Sequence, residues 1–387
     1  MQETMKVAQA TDAAMPDMGL PPRARIGERW DQVDTPSLML DLDAFEDNLR
    51  TMQALAERHG VALRPHAKAH RCPEVSLRQV ALGAQGICCQ KVSEAFPFLQ
   101  AGLRDIHISN EVIGEDKLAL LATLARSAQV SVCVDHPEAA RALSAALQRH
   151  NASLRVLVEI DVGQKRCGVT TPQAAVGLAS LVQSLPGLTF AGLQAYHGGA
   201  QHKRGMAQRR GACEKAWKLT RQYIDALAAA GISCPVVSGG GTGSAAFDIA
   251  SGVFTEVQAG SYAFMDADYG SLDWGDDLAF RHSLFMLATV MSRAVPERAI
   301  LDMGLKSTTA ESGMPIPHGI EGVHCVAVND EHSILAVEPG ARIELGDKLR
   351  LVPGHCDPTF NLHDELVVVQ AGRVHAIWPI SARGLSR

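Results

Sequence analysis

From Ser37 onward the chain alternates two textures: short β-branched or apolar runs, and longer stretches in which apolar residues recur at helical spacing among Ala, Gln, Glu and Arg. A short apolar run followed by an amphipathic segment is the pattern of a βα unit. Such runs fall at 37–42, 62–68, 86–90, 105–110, 130–135, 155–162, 189–197 and 234–240. The stretches at 43–59, 73–82, 92–101, 115–127, 136–149, 171–184 and 206–230, with a shorter one at 243–250, predict the helices between and after them. Strands that alternate with helices at this count predict a TIM-type (β/α)8 barrel, an α/β fold, over 35–272. A doubly wound sheet usually carries its phosphate glycines after the first strand, whereas here the glycine run at 239–243 follows the last.

Beyond Asp273 the helical spacing fades. Runs at 284–291, 298–302, 323–328, 333–337, 347–352, 365–370 and 373–378, separated by Gly, Pro, Asn and Asp, predict a mostly antiparallel β domain over 273–387, joined by part of 20–34. Residues 1–19 follow neither period and are expected to be flexible.

Composition narrows the function classes. Hydrophobic residues at 47% and charged residues at 20% are the balance of a folded chain, not of a disordered or fibrous one. Lys plus Arg number 36 against 42 Asp plus Glu, a net charge of −6 with no basic stripe, which argues against nucleic acid as a partner. No apolar run approaches the roughly 18–20 residues of a membrane span, and no basic leader precedes an apolar core, so a cytoplasmic location is expected. The nine cysteines, odd in number and without C-x-x-C, fit reduced thiols.

In a barrel the chemistry gathers at the C-terminal ends of the strands. The second run ends Arg64-Pro65-His66-Ala67-Lys68-Ala69-His70, and on an extended chain His66, Lys68 and His70 share one face. A desolvated lysine between two histidines loses proton affinity and becomes a nucleophilic amine; a solvated loop lysine fits the spacing equally. Arg166, among glycines after the sixth run, could meet a ring nitrogen or an anion, or lie on the surface. Ser238-Gly239-Gly240-Gly241-Thr242-Gly243-Ser244 exposes successive N–H groups before a helix, which suits a phosphate dianion, although a tight turn has the same composition. Gly260-Ser261-Tyr262 could add donors to the same anion. In the β domain, His355-Cys356-Asp357 places an imidazole and a carboxylate at i and i+2, able to chelate one divalent cation, with Cys356 pointing away; so short a motif also arises by chance.

Taken together with Ile87-Cys88-Cys89-Gln90-Lys91-Val92-Ser93-Glu94, Gly260 to Asp266 and Leu351 to Asp364, these motifs make the chain resemble the bacterial low-specificity D-threonine aldolases from about Thr35 to Arg387. Those enzymes group with D-3-hydroxyaspartate aldolases and D-serine dehydratases among the alanine-racemase-like enzymes that use pyridoxal 5′-phosphate (PLP). The resemblance implies a PLP-binding barrel of fold type III plus a β domain, assembled as a homodimer. By motif, Lys68 would bond to PLP as a Schiff base, and Arg166 would face the pyridine nitrogen. Gly241, Thr242, Gly260, Ser261 and Tyr262 would hold the phosphate, with Gln90 and Tyr196 against the cofactor. His355 and Asp357 would bind Mn²⁺, Mg²⁺ or Co²⁺, and His202 would sit near the substrate hydroxyl. The implied reaction is retro-aldol cleavage of a D-β-hydroxy amino acid to glycine and an aldehyde.

Two relatives offer alternatives. D-serine dehydratases carry His-x-Cys and zinc, whereas Asp357 is a harder oxygen donor, which weighs against dehydration. D-3-hydroxyaspartate aldolases share His-x-Asp but have Gln at the position of His197, a difference that favours the threonine-type reading. Non-catalytic PLP carriers that share the barrel lack a β domain.

Overall fold

The computed structural model describes residues 21–275 and 278–387, so the expectation for 1–19 lies outside the described residues. Eight parallel strands form one sheet in which chain neighbours are spatial neighbours: Ala62–Leu63, Ile87–Cys89, Asp105–Glu111, Gln129–Val134, Leu154–Glu159, Leu188–Ala195, Val236–Gly239 and Glu256–Val257. The last pairs with the first, and a parallel bridge between His66 and Cys88 joins the first to the second, closing the barrel. Helices pack around it with local signals at their starts. Asp41 accepts from the Ala44 N–H at the start of Leu42–Arg58, Thr171 does the same for Ala174 in Pro172–Ser184, and Pro73, Pro137 and Pro172 occupy first positions that need no N–H donor.

One strand expected in the barrel lies elsewhere. Ser37–Asp41 is central to the second sheet, antiparallel to Leu284–Val295 and parallel to Glu365–Gln370. The eighth barrel strand is Glu256–Val257. The physical reason is that Ser37–Leu40 is buried on both faces, and so continuous an apolar run suits a parallel barrel or the middle of an antiparallel sheet alike. Two residues, by contrast, leave no readable period.

The remaining strands of the second sheet, including Arg298–Leu301, Val323–Val328, Ser333–Val337, Lys348–Val352 and Arg373–Pro379, pair antiparallel and follow the predicted runs closely. Residues 27–30 run along its last hairpin through Gly27 N–H to Val374 O (2.8 Å) and Trp30 N–H to Gly372 O (3.1 Å). Among the described residues no helix is long and apolar enough to cross a membrane.

The two sheets are tied at the barrel mouth. The N–H groups of Ala267 and Asp268 donate to Pro353 O (3.0 Å) and Gly354 O (3.3 Å), which lays the loop leading into the helix Cys356–Phe360 over the strand ends.

Candidate active site

A cavity of about 140 Å³ opens at the C-terminal ends of the barrel strands. Its walls include His66, Lys68, Gln90, Arg166, Tyr196, Gly241, Thr242, Gly260 and Ser261, so most residues singled out from sequence converge there.

Lys68 is not on a strand. Residues Ala67–Ala69 form a 3₁₀ turn, which breaks the alternation expected of an extended chain. His66 and Lys68 line the cavity, while His70 is buried against Phe98, Phe264 and Phe360. Burial alone pushes His70 down to about 3, so it is a neutral core residue. His66 is also held well below its usual value, by burial and then by Lys68, and shares a hydrogen bond of 2.9 Å with Ser109 Oγ. The Lys68 ammonium donates to Asp357 Oδ2. Desolvation would lower its pKa, but the charge and hydrogen bond of Asp357 outweigh that and raise it.

The phosphate-type cradle is built from backbone at the ends of two adjacent strands. The N–H groups of Thr242, Gly260 and Ser261 have no acceptor among the described residues and belong to cavity-lining residues, which fits a phosphate dianion. Two members of the expected set are arranged differently. The Gly241 N–H donates to Ser244 Oγ (3.1 Å), and the Tyr262 N–H donates to Thr242 Oγ1 (2.9 Å). The Tyr262 side chain is buried away from the cavity, its hydroxyl accepting from Gln79 Nε2 at 3.2 Å. Behind the loop, Gln201 Nε2 donates to Ser244 Oγ (2.8 Å), which in turn donates to Asp248 Oδ2 (2.6 Å). Burial pushes Asp248 up to about 6 despite hydrogen bonds from Ser244 and Trp217.

Across the cavity the Arg166 guanidinium lies 5.4 Å over the Tyr196 ring and 3.8 Å from Glu159 Oε1. Burial and then the neighbouring Glu111 push Glu159 up to about 8. Gln90 Nε2 donates to Ser109 O (3.3 Å) and Asn110 Oδ1 (3.2 Å). A cavity that offers an amine, a phosphate-type cradle at one end and a guanidinium fits PLP.

The metal motif also departs from the extended geometry assumed for it. His355 is the N-cap of the helix Cys356–Phe360, and Asp357 lies in its first turn. His355 Nε2 is 3.9 Å from Asp357 Oδ1, a separation one ion can span with bonds of roughly 2.0–2.2 Å. His355 Nδ1–H donates to Asp266 Oδ2 at 2.8 Å, which leaves Nε2 as the lone-pair donor, the arrangement found around metal-bound histidines. Asp266 is fully buried and also accepts from the Cys356 N–H (2.8 Å) and the Tyr269 N–H (2.9 Å). Cys356 stands nearer this corner than expected, within 4.8 Å of the Asp266 and His355 ligand atoms, because a helical turn does not alternate as a strand does. Burial, with Asp266 and Asp357 beside it, raises its thiol well above the usual value. Desolvation works against an ionised Asp357, but Lys68 and then His355 outweigh it and hold the carboxyl low.

His202 stands at the rim. Its Nδ1 is bonded to Asp268 Oδ2, and its ring centroid is 5.6 Å from that of Tyr269, which lines the cavity. His197 lines a separate small void with Ala195 and Asp248. Sequence reasoning assigned no role to Asp266, Asp268, Ser109, Gln194, Gln258 or Tyr269. The one available signal was Asp266 itself, an acid closing the motif from Gly260, since metal-bound histidines regularly have a carboxylate partner.

Residues 40–268 match the family described as alanine racemase, N-terminal domain, and 283–369 match a putative serine dehydratase domain. A D-threonine aldolase from Arthrobacter sp is 59% identical over 371 residues, 96% of this chain and 98% of the relative. The chain belongs to the D-threonine aldolase family of alanine-racemase-like enzymes. Another relative of this family of lyases, a 3-hydroxy-D-aspartate aldolase from Paracoccus denitrificans (strain Pd 1222), is 43% identical over 381 residues, 97% of this chain and 98% of its own. The crystal structure of a D-threonine aldolase from Filomicrobium marinum superposes with a TM-score of 0.93 at 47% identity, covering 95% of this chain and 100% of that one. A D-threo-3-hydroxyaspartate dehydratase from Delftia sp. HT23 is more distant, with a TM-score of 0.82 at 27% identity over 91% of this chain and 98% of its own.

Proposed function

We propose that this protein cleaves D-β-hydroxy amino acids of the D-threonine and D-allo-threonine type to glycine and an aldehyde, using PLP and a divalent cation such as Mn²⁺, Mg²⁺ or Co²⁺. The observation that carries the reading is the meeting of Lys68 with the His355–Asp357 pair across the junction of barrel and β sheet. PLP, when bound, supplies the electron sink for the Cα–Cβ bond that breaks.

The chain's own residues divide the remaining work. Lys68 Nζ is the amine that attaches the cofactor. Thr242, Gly260 and Ser261 would hold its phosphate through their N–H groups, Arg166 would serve its pyridine edge, and Gln90 and Tyr196 its ring. A guanidinium there, which does not readily give up a proton, would favour an unprotonated ring nitrogen and a weaker electron sink than a carboxylate partner would. His355 Nε2 and Asp357 would hold the cation, whose contribution would be a lowered pKa for a hydroxyl beside it, compensating in part. Asp266 keeps the His355 proton on Nδ1. His202 has Nε2 left to take the hydroxyl proton, because Nδ1 is committed to Asp268, whose carboxylate stabilises the imidazolium that results.

We further propose a barrel unit near 35–272, with Ser37–Asp41 lent to the β domain near 273–387, a homodimer, and a cytoplasmic location. The test is product analysis with PLP and Mn²⁺ present. D-threonine should give glycine and acetaldehyde, chelator should stop the reaction, and Mn²⁺ should restore it. Lys68→Ala should remove the visible absorbance of lysine-bound cofactor. Glycine and glyoxylate from D-3-hydroxyaspartate in preference would move the reading to the 3-hydroxyaspartate aldolases, whereas ammonia and a keto acid would make it a dehydratase. Unchanged turnover in chelator would overturn the role of His355 and Asp357.

A further inference from the structure

Three of the segments that carry proposed cofactor and metal residues, namely the Lys68 turn, the Gln90 loop and the helix bearing Asp357, meet at one residue. Arg71 follows the turn that presents Lys68. Its N–H donates to Ala67 O at 2.8 Å, and its φ of 54° lies in the left-handed region that non-glycine residues seldom adopt. Its guanidinium reaches Glu94 Oε1 at 2.8 Å with one nitrogen and Asn361 Oδ1 with another. Glu94, almost wholly buried, accepts with its other oxygen from the N–H groups of Gln90 (3.0 Å) and Lys91 (3.1 Å). Asn361 is the C-cap of the helix Cys356–Phe360, which begins directly after His355 and carries Asp357 in its first turn. Ser386 Oγ accepts from the same guanidinium at 3.0 Å, and Arg71 O accepts from the Ala382 N–H at 3.0 Å, so residues near 382–386 hold the arginine in place.

We propose that Arg71 is a positioning residue that fixes the Lys68 turn, the Gln90 loop and the metal-bearing helix to one another. This rests on the reading of Lys68, His355 and Asp357 given above. Arg71 touches no reacting atom; its planar fork, which a lysine cannot copy, serves two acceptors on different segments at once. Glu94 is the link toward the cofactor, and Asn361 the link toward the metal. The two arms are therefore separable by substitution.

The experiment measures Mn²⁺ affinity by calorimetry and the release rate of lysine-bound PLP by visible absorbance, each on full-length holoenzyme beside its melting temperature. Asn361→Ala should weaken Mn²⁺ binding about tenfold, the lower end for residues that orient metal ligands, and leave PLP release within about twofold. Glu94→Gln, which keeps an oxygen for the Gln90 and Lys91 N–H groups but removes the charge that pairs with Arg71, should speed PLP release about tenfold and leave Mn²⁺ affinity within about twofold. Arg71→Met should do both, and Arg71→Lys should behave as Asn361→Ala does. If Asn361→Ala and Glu94→Gln leave both quantities unchanged, the proposal is overturned, and these two decide the matter should Arg71→Met not fold. A lowered melting temperature alone, with both affinities intact, also overturns it. If the unsubstituted protein binds neither PLP at Lys68 nor Mn²⁺, the functional reading itself has failed, and this inference with it.

Discussion

The two ends of the proposed site are built from different materials. At the phosphate end the free donors are backbone N–H groups of Thr242, Gly260 and Ser261, and side chains such as Ser244, Gln201 and Asp248 stand behind them. At the metal corner the donors are two side chains on one helical turn, His355 and Asp357, with Asp266 fixing which imidazole nitrogen is free. A backbone site keeps its donors through every substitution except proline, and it fails when volume is added. A side-chain site tolerates volume poorly too, but it fails first when an atom is removed or the atom that orients it is lost.

The largest expected effect tests the second half of that contrast. Asp266→Ala should weaken Mn²⁺ binding about 10–100-fold, the usual loss when the partner of a metal-bound histidine is removed. Because Asp266 also holds the Cys356 and Tyr269 N–H groups, the titration is to be made well below the variant's melting temperature. Wild-type affinity in this variant would mean that His355 needs no orienting carboxylate.

Adding volume at the cradle should come next. A Cβ on Gly243 would stand 2.2 Å from the backbone oxygen of Gln201, so one of the two segments must move. Gly243→Ala should cost about 1–3 kcal/mol of stability, the range for overpacked sites, and should weaken PLP binding as the loop shifts. At Gly241 the nearest atom, at 2.6 Å, is the end of the Gln201 side chain, which can shift by giving up its bonds to Ser244 while the backbone stays in place. Gly241→Ala should therefore be the milder change by thermal melting, and the reverse order would mean that the loop is not held by backbone contact.

Charge separates the Arg166 side of the cavity from the metal corner as well. Glu159, behind Arg166, is pushed from its ordinary 4.5 up to about 8, chiefly by burial. Between those values the folded protein keeps a proton that the unfolded chain has released. The associated stability is complete below about pH 4.5 and is lost as the pH rises through about 8. Melting temperature should thus fall from pH 5 to pH 9 more steeply in the unsubstituted protein than in Glu159→Gln. Parallel slopes would sink the assignment. Asp357, held low, carries the opposite sign.

How much of this was readable beforehand follows from the range of each interaction. The βα alternation and most later strands were legible because burial imposes a period on the sequence itself. Glu256–Val257 was not, since a strand of two residues has no period, and Ser37–Asp41 was misplaced because continuous burial does not say which sheet supplies it. Lys68, Arg166, His355 and Asp357 could be chosen by residue type and motif, and they fall around one junction. The partners that set their behaviour could not. Asp266 meets His355 across 89 residues, and Arg71 meets Asn361 across 290, contacts that leave no spacing to read until the two sheets are docked.

The smallest expected effect is the sharpest test of the backbone character of the cradle. Resemblance gave Tyr262 a place in phosphate binding, yet its hydroxyl lies in the core against Gln79, and its N–H is already committed to Thr242 Oγ1. Tyr262→Phe removes the hydroxyl and leaves that N–H in place. It should cost about 1 kcal/mol, the net worth of one buried hydrogen bond, and leave PLP affinity within about twofold. A tenfold loss of PLP affinity at unchanged melting temperature would mean that the hydroxyl reaches the cofactor. The phosphate end would then depend on a side chain as the metal corner does, and the contrast between them would no longer hold.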